Sequence, residues 1–168
     1  MMIVHTSEMP AKRNPLGPTG ETVRENVIAL RERKNLSYAQ LSRKLKAAGR
    51  AIPELGLRRI EDGERRVDVD DLMALAEALE VWPIALLMPT TTMDGQPVQT
   101  GDELVQATCR PLESAKFLWN RLQGLLIMGF GEATEATLQG TADYRRFIES
   151  TPPWAVKDTL GKVYRGHD

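Results

Sequence analysis

Residues Leu57 to Arg66 set four arginines, Arg58, Arg59, Arg65 and Arg66, around a short helical pattern and a glycine. Leu57 and Ile60 give that helix one apolar side, and Arg58 and Arg59 lie on the exposed one. A guanidinium presents its N–H donors as a planar fork, so it can bond two acceptors on a guanine edge or neutralise a phosphate. The chemistry on offer is recognition of a polyanion. Gly63 is placed to end the helix, with Arg65 and Arg66 in the loop beyond it. An isolated Arg-Arg pair is most often a solvated helix face, so the elements around it decide the reading.

Those elements follow from apolar spacing and capping residues. Thr22 to Lys34 carries Val23, Val27, Ala29 and Leu30 near helical spacing, which predicts a first helix. Ser37 offers an N-cap for a second, and Gln40 completes a capping box. Ala39, Leu41 and Leu45 would face inward on it, and Ser42, Arg43, Lys44 and Lys46 outward. Gly49 breaks this helix, and Pro53 restarts the chain at an early helical position. Leu57 and Ile60 then supply the third inward face. Asp68 caps a fourth helix with Leu72, Leu75, Ala76 and Leu79 inside. Val81-Trp82-Pro83 turns into a short fifth helix, Ile84 to Leu87. Five short helices in about seventy residues read as one helix-turn-helix domain.

Charge distribution agrees with a polyanion partner although the net charge of the 168 residues is only -1. Arg31 to Arg66 holds eleven basic and five acidic residues, whereas Val67 to Pro89 holds five acidic residues and no basic one. A basic face backed by an acidic helix would orient the domain on a polyanion. Other chemistry finds little support. His5 and His167 stand at opposite ends, and Cys109 has no motif-spaced partner for zinc or nucleophilic catalysis. Gly129-Phe130-Gly131 lacks the rest of a phosphate-binding fingerprint. Asp68, Asp70 and Asp71 at a helix start read as cap and dipole partners before metal ligands. No catalytic residue, metal or cofactor is therefore expected. The single cysteine, with neither a membrane-spanning run nor a secretory leader in view, reads as a cytoplasmic protein.

Outside these helices the pattern is thinner. Residues 1–19, rich in proline, read as a flexible arm in which Lys12 and Arg13 could reach phosphates. Residues 90–101 read as a linker. Leu104 to Cys109 reads as a short strand or extended piece. Glu113 to Met128 reads as a helix with Ala115, Leu118, Trp119, Leu122, Leu125 and Leu126 on one face, followed by a shorter helix from Ala142 to Glu149. Trp119, Phe130, Tyr144, Phe147 and Trp154 bring most of the aromatics to this half. They serve equally as a small core or as a dimerisation or partner surface.

Three motifs together carry a resemblance to a known family. Leu36-Ser37-Tyr38-Ala39-Gln40-Leu41-Ser42, Leu57-Arg58-Arg59-Ile60-Glu61-Asp62-Gly63 and the run Leu72 to Val81 resemble the lambda-repressor-like (xenobiotic-response-element, Cro-type) helix-turn-helix family over residues 20–89. Lys46 to Gly56 is longer than the family's tight turn, which means either an extended second helix or a small loop. The insert resembles that of actinobacterial transcriptional regulators. The resemblance implies a mainly α fold, a five-helix DNA-binding domain followed by a small, mostly helical C-terminal region at 102–168. It implies a sequence-specific double-stranded DNA-binding transcriptional regulator, a repressor acting by operator occupancy. Groove-facing positions fall on Glu54, Leu55, Arg58 and Arg59, while Ser37, Tyr38 and Gln40 approach backbone or flanking bases. Arg43, Lys44, Arg50, Arg65 and Arg66 are candidate phosphate contacts. An ion pair between Arg31 and Glu61 is implied as well. A homodimer held through residues 102–168 is expected, because specific affinity in this architecture comes from two half-sites. The alternative is an antitoxin of the same fold, whose C-terminal region clasps a toxin protein.

Overall fold

Pro18 starts the first helix earlier than the apolar repeat does. The computed structural model describes residues 15–108, 110–123 and 149, and those residues are mainly helical. Helix α1 runs Pro18–Arg33, with the proline in its first turn, where a missing N–H removes nothing the helix uses. Thr22, Val23, Asn26, Val27 and Leu30 form its buried stripe. Asn35 then takes φ 52°, a left-handed conformation that asparagine tolerates, and the Leu36 N–H reaches back to the Arg31 carbonyl.

Helix α2 spans Tyr38–Ala47 and opens with the complete capping box: Gln40 N–H donates to Ser37 Oγ, and Ser37 N–H to Gln40 Oε1. Gly49, at φ 84°, ends it, and a loop follows instead of a longer helix. Ile52 anchors that loop in the core, and the Ser42 hydroxyl donates to the Ile52 carbonyl at 2.7 Å. Pro53 serves as the N-cap of α3, Glu54–Glu61, just outside the helix and not within it. Gly63 follows at φ 73°. Helix α4, Val69–Ala78, starts from Asp68, whose side chain accepts the Asp71 N–H, and α5 covers Pro83–Leu87.

One core joins these five helices. Val27, Leu41, Leu45, Ile52, Leu57, Ile60, Leu75, Leu79 and Leu86 are shut off from solvent within it. Leu41 and Leu45, Leu57 and Ile60, and Leu75, Ala76 and Leu79 are the inward residues that helical spacing selects. Ala39 and Leu72 stay part-exposed.

The boundary between two compact units falls between Leu87 and Met88. In the second unit, residues 90–98 make a turn closed by a bridge between Thr91 and Pro97, with Gly95 at φ 74°. Strands β1, Leu104–Ala107, and β2, Arg110–Ser114, then pair antiparallel, with Val105 opposite Glu113 and an irregularity between Val105 and Ala107. Helix α6 covers Ala115–Leu122 and is capped by Ser114, which accepts the Phe117 N–H. Glu113 therefore belongs to a strand and not to a helix. The cap at Ser114 sets the boundary, and the helical apolar repeat starts only at Ala115. Ala115 and Leu118 are buried with Val105, whereas Trp119 and Leu122 on the expected stripe are exposed. The arm residues before Pro15, Cys109, Leu125 and Leu126 of that stripe, Gly129 to Gly131, the helix expected from Ala142 (save Glu149) and the aromatics beyond Trp119 lie outside the described residues, as do His5 and His167. Among the described residues no helix is long and apolar enough to cross a membrane.

Asn26 supplies the polar tie in this core. Its buried amide donates to the Ala85 carbonyl at 3.2 Å and the Leu86 carbonyl at 3.0 Å, clipping α1 to α5. These carbonyls sit where a five-residue helix leaves most of its acceptors without intrahelical donors. Asn26→Ala is expected to lower stability by about 1–3 kcal/mol, because truncation orphans buried acceptors. Urea unfolding of the variant measures it, and a loss below about 0.5 kcal/mol would show that solvent replaces the amide.

Candidate nucleic-acid interface

Leu57, Ile60 and Glu61 are the residues of α3 that turn into the protein. Glu54, Leu55, Arg58 and Arg59 are all exposed, and 1→5 spacing stacks Arg58 over Glu54 and Arg59 over Leu55. Leu55 is 59% exposed, an apolar side chain on a polar face. The four positions expected to face the groove thus share one helical surface. The Arg59 side chain approaches the Glu64 carboxylate of the following loop, at 4.0 Å.

The start of α2 joins that surface through Tyr38. Arg58 lies over its ring, with Cζ 4.5 Å from the centroid, and Arg31 Cζ lies 4.6 Å from the same centroid. Such cation–ring contacts contribute roughly 0.5–2 kcal/mol, depending on solvation. The hydroxyl donates to Glu61 Oε2 at 2.7 Å. Glu61 also takes Arg31 Nε at 2.6 Å and Nη2 at 2.9 Å, a two-point fork with both side chains largely shielded. The Arg31–Glu61 pair implied by the family resemblance is present. It carries Tyr38 with it, a member that spacing alone did not reveal. Arg31 Nη1 and Arg24 Nη1 complete the knot on the carbonyls of Leu36 and Glu61. Acceptance of its proton by the Glu61 carboxylate, helped by burial, holds the Tyr38 phenol above its ordinary value, against a smaller opposing pull from Arg31 and Arg58. Ser37 and Gln40 are exposed beside it, their polar groups engaged in the capping box.

The candidate phosphate contacts divide by their internal partners. Arg43 is exposed, and its side chain makes no ion pair or hydrogen bond among the described residues. Lys44 pairs with Glu80 at 2.6 Å, and Lys34 reaches the same carboxylate at 3.4 Å. Lys44 first and Lys34 second hold that acid below its ordinary value. Arg66 donates to the Pro15 carbonyl. Arg50 and Arg65 converge on Asp71, whose side chain is 1% exposed, at 2.8 and 2.6 Å. Arg50 also holds Asp68 at 2.7 Å. Asp68, held below its ordinary value chiefly by the Asp71 N–H, therefore caps α4, and Asp71 bolts it to the two loops flanking α3. Gly56 leaves room for this arrangement: a Cβ there would stand 2.9 Å from Arg65 Nη1 and 3.1 Å from Ile52 Cγ2. Nothing in the spacing of Arg50, Arg65 and Asp71 marks this triad, because its members come from three separate segments.

No family model, curated protein or solved structure shows a significant match to this chain.

Two outcomes follow from the Glu61 knot. Arg31→Ala and Glu61→Ala are each expected to cost about 2–4 kcal/mol by leaving a shielded charge without its partner. The double variant should lose at least about 1 kcal/mol less than their sum in a thermal-unfolding cycle, and additive losses would contradict the pairing. The Tyr38 proton is bound more tightly in the folded chain, so its stabilisation is full below the ordinary phenol range, near pH 10, and lost as pH rises through the folded value. An ultraviolet titration of the wild type against Tyr38→Phe should isolate a phenol titrating above that range, and Glu61→Gln should move it down. A Tyr38 midpoint at the ordinary value would contradict the bond.

Proposed function

We propose that this chain is a sequence-specific double-stranded DNA-binding regulator of the lambda-repressor-like helix-turn-helix kind, acting as a repressor by occupying its operator. The observation that carries the reading is the outward face of α3: Glu54, Leu55, Arg58 and Arg59 stand on one surface, and the Arg58–Tyr38 stack joins it to the start of α2. A helix of that width fits the major groove, where arginine reads guanine and an apolar side chain meets a thymine methyl. In this reading α3 is the recognition helix, Ser37, Tyr38 and Gln40 sit toward the flanking backbone, and Arg43, Lys44 and Arg66 track phosphates.

Arg50 and Arg65 take a different part within the same reading. Their bonds to Asp71 and Asp68 support the loops at each end of α3. Outward N–H groups of either remain compatible with a phosphate, since one guanidinium offers five donors. The cytoplasmic placement and the homodimer through residues 102–168 belong to the same proposal. The exposed Phe117, Trp119 and Leu122 of α6 support an interface there, because large apolar groups grouped on one short helix favour cover from water.

Selection of the full-length chain on random duplexes is expected to enrich one motif, an inverted repeat with half-sites about one helical turn, roughly 34–36 Å, apart. Arg43→Ala should weaken the selected and a random duplex alike and reduce the salt-dependence slope by about 0.9. Selection that enriches no motif would overturn the regulator reading. A motif without two-fold symmetry would overturn the dimeric operator alone.

A further inference from the structure

Two guanidinium groups lie over the Tyr38 ring, and they are held in different ways. Arg31 uses its edge: Nε and Nη2 donate to Glu61 and Nη1 donates to the Leu36 carbonyl. The Arg58 side chain makes no hydrogen bond or ion pair among the described residues, and its Cζ lies over the ring, 4.5 Å from the centroid. A guanidinium stacked on a ring is held through its π face, whereas its N–H donors lie in its own plane and stay open. The ring beneath it is held as well: its hydroxyl donates to Glu61 Oε2, and Arg31 Cζ also lies over it, 4.6 Å from the centroid. The Arg58 guanidinium thus has support at the ring while its N–H donors are uncommitted among the described residues.

That combination matters for reading a base. A flexible arginine loses rotamer freedom when it docks, and a side chain already held in place loses less. The other cations of this region lack one of the two properties. Arg59 leans toward Glu64, Arg50 and Arg65 have donors committed to Asp71, and Arg43 has no support among the described residues.

We propose that Arg58, not Arg59, is the main specificity-determining residue of this surface, forking onto a guanine in the major groove, and that Tyr38 is its positioning residue. The inference rests on the DNA-binding reading above and adds to it which arginine reads the base and what holds it.

The test uses the full-length chain and the best duplex from selection, with each guanine replaced in turn. Arg58→Lys keeps the charge but not the fork. It should lose roughly 10- to 100-fold of discrimination at one guanine position, with random-duplex affinity and salt slope little changed. Tyr38→Leu should lose roughly 3- to 30-fold at that same position and no other, and should add nothing to Arg58→Ala. Tyr38→Phe, which keeps the platform, should retain most of the preference. Should Tyr38→Leu fail to fold, nitrogen-15 relaxation of the wild-type arginine side chains gives the answer without it. Arg58 Nε should be more ordered than Arg43 Nε in the free chain. Equal mobility of the two would overturn the positioning role. Unchanged guanine preference in Arg58→Lys, or a uniform loss on all duplexes in Arg58→Ala, the mark of a phosphate contact, would overturn the assignment of Arg58. Wild-type chain that prefers no duplex would instead remove the DNA reading, and this inference with it.

Discussion

Glu61 is the group on which the placement of α3 depends. It is the last residue of that helix, and its carboxylate is buried at the meeting of three helices. Isolated burial of a carboxylate would cost several kcal/mol, so its partners must be in place whenever the chain is folded. Arg31 from α1 supplies the counter-charge and two hydrogen bonds, and Tyr38 from α2 supplies a third. Hydrophobic packing alone leaves a helix some freedom to slide and roll in its groove. A charge that requires a forked partner at one height and a phenol at another removes much of that freedom. The consequence reaches the surface, because the ring that satisfies Glu61 also carries Arg58.

Asp71 does for the ends of α3 what Glu61 does for its axis. It lies in the first turn of α4, where the helix dipole favours a negative charge, and it draws Arg50 from the loop before α3 and Arg65 from the loop after it. The lengthened connection between α2 and α3 is therefore restrained at three points: Arg50 on Asp71, Ile52 in the core, and the Ser42 hydroxyl on the Ile52 carbonyl. These restraints sort the cations of the basic segment. Arg31, Arg50 and Arg65 complete buried carboxylates, while Arg43, Arg58 and Arg59 keep more of their donors toward solvent. Net charge over the segment does not distinguish the two groups, but burial of their partners does.

Local rules made the helices of the first unit legible in the sequence. Ser37 with Gln40 and Asp68 with Asp71 are caps whose partners lie within one turn, and Gly49 and Gly63 adopt the positive φ that a helix end requires. Leu57 and Ile60 fall inward because the helical period leaves them no other side. The start of α1 was less legible, since Pro18 and Thr19 belong to the helix without belonging to its apolar stripe. The strand at Arg110–Ser114 was less legible for another reason: it is short, contains a proline, and is defined by pairing with β1. Of the candidate site, the exposed face of α3 could be read from periodicity. The Arg58–Tyr38 stack and the Asp71 triad could not, because they join residues 20, 21 and 6 positions apart across separate elements. Side chains that meet only after helices pack leave no periodic trace.

In the proposed complex, α3, held by Glu61, would present an arginine to base edges in the major groove. Methylation interference on a selected duplex tests this most directly, because guanine N7 lies in the major groove and adenine N3 in the minor groove. Methylation of a guanine N7 within each half-site is expected to exclude bound molecules carrying it, while adenine N3 methylation in the same base steps leaves binding intact. Binding that is insensitive to every guanine N7, or sensitive chiefly to adenine N3, would rule out this placement of α3.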